Sequence, residues 1–428
     1  MEKLISKPIK HVVIIGGGFA GINLAKQLAK DKRYDVTLVD KNNYYFFPPL
    51  IYQVATGFLE TSSISYPFRK LFRRSATVHF RLGSLQSVTT ATHTCHLDNG
   101  DIKYDYLVFA TGAEPNYFGN ENLKNNAIPM KTINDALQMR NTLLQTLEQA
   151  AITNDAAERN KLLTIVIAGG GPTGVEVAGM LAELRKYIMK RDYPELCSAT
   201  GDIYLVEGSD NLLLQMSEHS HTDAKNALVN LNVKIKLNTQ VKDFINDTVQ
   251  LSNGETIATK TLIWTAGVNA ILFEGIPVAS VGKGKRMLVD AYNKVAGLDT
   301  VYAIGDACLQ TTDSAFPAGH PQLAQVAIQQ GKNLANNFHH LARNNALHPF
   351  TYFDKGNMAI IGRNKAVVDL PKPRLHFKGF IALFMWLFIH LISLVTYRNK
   401  MRTLYNWSIA YFTRDQSLRM IIRPGKNK

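Results

Sequence analysis

Apolar residues along this chain fall mostly into short runs, and the first of them opens a pattern that recurs. Val12 to Ile15 are uninterrupted apolar positions, as expected of a strand buried on both faces. A glycine-rich turn follows, and Ile22, Ala25, Leu28 and Ala29 then recur at helical spacing, so HVVIIGGGFAGINLAKQLAK (residues 11–30) reads strand, turn, helix. DVTLVD (35–40) predicts a second strand ending in an acid, and DYLVFATG (105–112) a strand running into a Thr-Gly turn. A helical pattern covers Asn134 to Leu147. The opening pattern then returns about 150 residues later, in LLTIVIAGGGPTGVEVAGMLAEL (162–184), DIYLVEG (202–208) and TLIWTAG (261–267). TVYAIGDAC (300–308) is again a strand ending in a polar turn, followed by a periodic helix from about Leu323 to Leu341, and residues 350–370 predict short strands around Gly356 and Gly362. The fold class is therefore α/β with an internally duplicated unit. No low-complexity linker separates the parts, so the domains are expected to interleave.

The two glycine turns carry specific physics. Gly16, Gly18 and Gly21 fit GxGxxG, and so do Gly169, Gly171 and Gly174. The first glycine allows the tight turn, the second lets backbone approach a pyrophosphate, and the third lets helix pack on strand. The helix N-terminus then offers free N–H groups and the positive end of its dipole to the phosphates. Gly17, Phe19 and Ala20 complete the first loop, and Pro172 and Thr173 the second. Asp40 lies 19 residues after Gly21 and Glu207 33 after Gly174, each ending the next strand, where a ribose-binding carboxylate is expected. Two such sites imply a flavin and a nicotinamide cofactor. Glu207 would accept from a ribose 2′-OH and repel a 2′-phosphate, which favours NADH over NADPH.

Composition sharpens the picture at one end of the chain. The 428 residues carry 48 Lys+Arg against 34 Asp+Glu, a net +14 that raises nucleic acid or an anionic membrane surface as a partner. Residues 371–428 hold eleven bases and one acid, Asp415, so the body before them is nearly balanced. Phe380 to Tyr397 is apolar except for His390, Ser393 and Thr396, which form one narrow stripe; at about 1.5 Å per residue it is marginal for crossing a bilayer. Lys378 precedes it, and Arg398, Lys400 and Arg402 follow. A second segment, Leu404 to Ile422, places Leu404, Trp407, Tyr411, Leu418 and Ile421 on one face. Aromatic, basic, amphipathic helices lie in the membrane interface, and the apolar spans argue against nucleic acid. A transmembrane helix and a buried core or dimer helix stay open as readings of the same segment. Met1 to Lys10 are polar, so no signal peptide is expected. Cys95, Cys197 and Cys308 are widely spaced, which disfavours a disulfide framework, a redox pair or a cysteine metal site.

The duplicated loops, TGAEP (Thr111 to Pro115), WTAG (Trp264 to Gly267) and AIGDA (Ala303 to Ala307) resemble the two-dinucleotide-fold flavoprotein oxidoreductases. FFPPLIYQVATG (46–57), QLAQVAIQQG (322–331), NAIPMKTINDALQMRN (126–141), GNMAIIGRNKAVVD (356–369) and GFIALFMWLFIHLISLVTYRNK (379–400) narrow the likeness to the type II NADH:quinone oxidoreductases, over nearly the whole chain. The resemblance implies two Rossmann-like domains and a C-terminal amphipathic helical membrane anchor. The expected boundaries are 1–125 with 285–345 for FAD, 126–284 for NADH, and 346–428 for the anchor and quinone region. It further implies that Thr111, Gly112, Asp306, Lys41, Leu85, Ala324, Gln325 and Lys378 join the first loop and Asp40 around FAD. Ala266, Gly267 and Glu176 would join Glu207 and the second loop around NADH. Gln325, Gln329, Lys378 and Ile381 would serve quinone, with Glu176 a proton relay.

The activity implied is oxidation of NADH with two-electron reduction of ubiquinone or menaquinone and no ion pumping. The enzyme would be peripheral on the cytoplasmic face of a bacterial inner membrane, with a homodimer left open and with no metal. Two readings compete: an NADH reductase of a soluble electron carrier, and a non-catalytic NADH-sensing flavoprotein.

Overall fold

The computed structural model describes residues 8–196, 201–413 and 418–422. It divides into two compact units, each assembled from separated stretches of chain: Met1–Phe46, Tyr66–Glu114 and Val268–Asp354 in the first, Phe47–Ser65, Pro115–Gly267 and Lys355–Lys428 in the second.

In the first unit, Lys10–Ile15, Tyr34–Asp40, Val78–Leu82, Tyr106–Phe109 and Val301–Ala303 form one parallel sheet. Numbered along the chain, its strands lie in the order 5-4-1-2-3. The order in which strands are added therefore reverses beside Lys10–Ile15, the switch point at which α/β sheets bind ligands beyond their strand ends. Val12, Val13 and Ile14 are fully buried, which is why this strand reads as a continuous apolar run rather than an alternating one. The first loop helix, Phe19–Leu28, packs on the glutamine-bearing helix Ala324–Leu341. Gly331 permits that approach, because a Cβ there would sit 2.5 Å from the Ala20 carbonyl oxygen.

The second unit repeats the topology. Ile128–Pro129, Thr261–Trp264, Ile165–Ala168, Ile203–Val206 and Val233–Lys236 are parallel neighbours in that order, and the switch lies beside Ile165–Ala168. The second loop helix, Pro172–Leu184, carries an antiparallel sheet of Asn357–Gly362, Lys365–Pro371 and Arg374–Lys378. Gly179 lets that sheet approach, since any Cβ would collide with the Ile361 carbonyl. The third strand of this sheet had no signal in the sequence. It forms because residues 374–378 pair back on Lys365–Pro371, with His376 opposite Asp369.

Two helices follow in the second unit, Gly379–Ser393 and Tyr397–Thr413. The break between them comes earlier than the apolar pattern suggests. Leu394 is extended, and the Thr396 hydroxyl accepts from the Asn399 N–H at 3.3 Å, capping the second helix before Tyr397. Part of the segment read as Leu404 to Ile422 lies outside the described residues. Ala382, Leu383 and Trp386 turn the first tail helix toward the protein, while Phe380, Ile381, Phe384, Phe388 and Ile392 are exposed. Among the described residues no helix is long and apolar enough to cross a membrane.

Candidate functional site

Each unit holds a cradle at its switch point, and the glycines of both divide into the same two kinds. A Cβ on Gly16 would collide with the Ala110 carbonyl, and one on Gly21 with the Gly16 carbonyl. In the second unit Gly169 is closed off by Thr265 backbone at 2.8 Å, and Gly174 by the Gly169 carbonyl. These four glycines are explained by packing. The middle ones are not, because a Cβ on Gly18 or Gly171 meets nothing within 4 Å. Their backbone φ/ψ values, near −71/−162 and −70/−178, would also accept other residues. Glycine at these two positions leaves a concavity open for something to approach the backbone, as a pyrophosphate must.

The strand-end acids complete the cradles in matching ways. Asp40 Oδ2 accepts from the Gly17 N–H at 2.7 Å, and Oδ1 from the Asn42 N–H at 2.7 Å. Burial pushes the Asp40 carboxyl up, and those two backbone N–H groups hold it partly down. Glu207 Oε2 accepts from the Gly170 N–H at 2.5 Å, and Oε1 from the Ser209 N–H at 2.8 Å and hydroxyl at 2.5 Å. Thr111 and Gly112 close the first cradle: among the described residues the buried Thr111 hydroxyl has no partner, and a Cβ on Gly112 would meet nothing within 4 Å. Both cradles fit a dinucleotide.

The other predicted residues take varied places. Lys41 is exposed beside Asp40, whereas Leu85 is buried in the core of the first unit with Val88 and Leu97. The Asp306 backbone carbonyl accepts from Gln322 Nε2 at 3.1 Å. Ala324 and Gln325 open the glutamine-bearing helix. Gln329 is engaged by backbone: its Nε2 donates to the Phe353 carbonyl at 2.9 Å and its Oε1 accepts from the Phe353 N–H at 3.1 Å. Ala266 and Gly267 follow the strand Thr261–Trp264 beside the second cradle, with Gly267 at φ +96. Lys378 pairs with Asp223 at 3.1 Å, and Ile381 is exposed on the first tail helix.

Glu176 is the most perturbed of these groups. It is 7 % exposed, in the loop helix Pro172–Leu184, and burial pushes its carboxyl up to about 8. The Ile360 N–H, 3.4 Å from Oε1, and the Trp386 indole oppose that rise only in part. Tyr52 is buried nearby, and burial with the Glu176 charge holds its phenol well above the ordinary value. Trp386 stacks on His390 with ring centroids 3.8 Å apart, and burial lowers the His390 imidazole to about 4, so it is neutral.

Tyr52, Gln53 and Trp386 carry no functional signal of their own in the sequence, and Trp407 stands out there only on the amphipathic face of the tail. Tyr52 and Gln53 lie within FFPPLIYQVATG, and Gln53 Oε1 accepts from the Trp407 indole at 2.7 Å. Beside them is an apolar cavity of about 600 Å³ between the tail helices. Met180, Ile360, Leu387, Leu404 and Trp407 are among its walls, with Arg363 and Glu183 on its polar side. Cys95 and Cys308 are buried free thiols, and Cys197 lies outside the described residues.

Residues 10–331 match the pyridine nucleotide-disulphide oxidoreductase family, and residues 355–416 match the NDH2 C-terminal domain. The chain is 34% identical to the type II NADH:quinone oxidoreductase NdhA of Mycobacterium tuberculosis, over 94% of this chain and 87% of that one. It is 30% identical to an internal alternative NAD(P)H-ubiquinone oxidoreductase of Solanum tuberosum mitochondria, over 97% and 90% respectively. Among solved structures, NDH2 of Plasmodium falciparum in complex with NADH superposes with a TM-score of 0.88 at 22% identity, covering 97% of this chain and all of that one. A sulfide:quinone oxidoreductase of Aquifex aeolicus superposes with a TM-score of 0.72 at 20% identity, over 97% and 96%.

Proposed function

The chain belongs to the type II NADH:quinone oxidoreductases, within the pyridine nucleotide-disulphide oxidoreductase family, and on that premise we propose that it oxidises NADH and reduces a membrane quinone to quinol without pumping ions. One observation carries the reading: both switch-point loops keep a middle glycine that no packing requires, each beside a strand-end acid bound to the loop backbone. Two dinucleotides in one chain are what such an enzyme needs.

When bound, FAD would supply the two-electron redox chemistry between NADH and quinone. The protein's part is to bind, orient and insulate. Gly16 to Gly21 and Thr111 to Gly112 hold FAD, with Asp40 on its adenosine ribose; Asp306, Lys41, Leu85, Ala324, Gln325 and Lys378 are the further flavin contacts in this reading. Gly169 to Gly174, Ala266 and Gly267 hold NADH, and Glu207 selects it by accepting from the 2′-OH and repelling a 2′-phosphate. Glu176, kept neutral at pH 7 by burial, has a proton to give, which supports a relay role.

Gln325, Gln329, Lys378 and Ile381 are assigned to the quinone region. Gln329 would have to exchange its bonds to Phe353 for a quinone carbonyl, or else shape the site through that backbone. The apolar cavity between the tail helices is the route we assign to the isoprenoid chain. The exposed apolar side chains of those helices and the +10 of residues 371–428 support docking on an anionic membrane surface. The cytoplasmic face of a bacterial membrane and a homodimer complete the proposal.

The test is anaerobic. NADH should bleach the bound flavin, and ubiquinone or menaquinone added afterwards should restore its colour within turnover time. Bleaching without restoration would favour the sensing flavoprotein.

A further inference from the structure

Beneath the Gly305–Asp306 turn of the first unit lies a buried polar cluster with no task so far. Gln330, the residue after Gln329, is fully buried. Its Oε1 accepts from the Gly305 N–H at 2.7 Å and from the Cys308 thiol at 3.3 Å, while its Nε2 has no partner among the described residues. Asn293 Nδ2 reaches the same thiol at 3.8 Å and donates to the Ala303 carbonyl at 3.2 Å.

The turn that Gln330 supports is special in two ways. Gly305 is left-handed, at φ +69, so the backbone changes direction there. Its Cβ position also lies 3.3 Å from Ala20 Cβ, placing the turn against the N-terminus of the first loop helix. One buried amide thus stands where the strand Val301–Ala303, the glutamine-bearing helix and the dinucleotide loop meet. An amide in such a place is costly to bury, and an apolar side chain would fill the space with less loss. The bond to Gly305 is what an apolar residue does not provide.

We propose that Gln330 is a positioning residue for the flavin: by accepting the Gly305 N–H it fixes the turn that presents Asp306 to the first cradle, with the Cys308 thiol as a second donor to the same oxygen. This rests on the assignment of that cradle to FAD.

The experiment follows flavin fluorescence as purified holoenzyme releases FAD on dilution, alongside the melting temperature. Gln330→Met keeps the volume and removes the acceptor, leaving a buried N–H unpaired. FAD release should become about tenfold to a hundredfold faster, with NADH binding to the second cradle unchanged. Cys308→Ala removes one donor and leaves the Gly305 bond, so it should lower the melting temperature yet keep release within about threefold of wild type. If Gln330→Met does not fold, Gln330→Asn, which draws the acceptor back from Gly305, carries the same expectation. Release from the Gln330 variant at the wild-type rate would overturn the proposal. So would acceleration no greater than that of Cys308→Ala at equal loss of melting temperature. A wild-type protein without flavin absorbance would instead overturn the FAD assignment itself.

Discussion

Glu176 shows how a single side chain can be read two ways until its surroundings are known. An acid near the start of a helix is ordinarily a partner for the helix dipole, and a solvated one would need no further explanation. Here the carboxyl is buried beside Tyr52, Trp386 and Ile360, and its neutral form is favoured up to about pH 8. The sign of the stability effect follows. The unfolded carboxyl loses its proton near pH 4.5 and the folded one near pH 8, so the folded state binds the extra proton between those values and loses relative stability as pH rises through them. Glu176→Gln lacks that linkage. Its melting temperature should exceed that of wild type by a margin that grows from pH 5 to pH 8 and then levels. If the neutral acid relays a proton, kcat of the wild type should also fall above about pH 8, and the variant should be slower at neutral pH without that alkaline limb. A pH profile shared by both proteins would remove Glu176 from the relay. At the strand-end acid of the same cradle, Glu207→Gln should relax discrimination against NADPH by at least about tenfold in kcat/KM, measured with both nucleotides on one preparation.

At the scale of elements, the two strand–loop–helix units separate folding from binding within one motif. Gly174→Ala would drive a methyl group into the Gly169 carbonyl, so it should destabilise the protein by about 1–3 kcal/mol or prevent folding. Gly171→Ala places the same methyl group in open space, so melting should be unchanged while NADH binding weakens about tenfold or more, since the methyl occupies room a pyrophosphate needs. Calorimetry and NADH titration of the two variants check the contrast. The loops themselves were legible in the sequence because strand, turn and helix are local patterns. The tail was less so. Its apolar run continues past Ser393, and only the extended Leu394 and the Thr396 cap show where one helix ends and the next begins. The strand Arg374–Lys378 left no local trace because its partner, Lys365–Pro371, decides it.

At the scale of the whole molecule, the tail is both an exposed surface and part of a core. Trp386 is fully buried in the second unit, so removing residues 379–428 would strip a wall from around Glu176 as well as an anchor. A cleaner test of membrane docking changes only outward side chains. Ile392→Ser, Tyr397→Ser and Tyr405→Ser together should cut binding to anionic vesicles by more than about tenfold, at about 1 kcal/mol or more per buried side chain, and leave melting nearly unchanged. Co-sedimentation in which the triple variant and wild type bind alike would place the docking surface elsewhere.

By itself, the sequence determined the duplicated α/β grammar, the pair of dinucleotide loops with their acids, and the concentration of charge in an apolar tail, because each is written in residues close together along the chain. Tertiary structure alone decided that Gly18 and Gly171 face open space, that Glu176 is desolvated, that Gln329 is held by Phe353 backbone, and that Gln330 supports the Gly305 turn. Those depend on which distant segments bury or bond a group, and burial and hydrogen bonding across long separations are set only when the chain has folded.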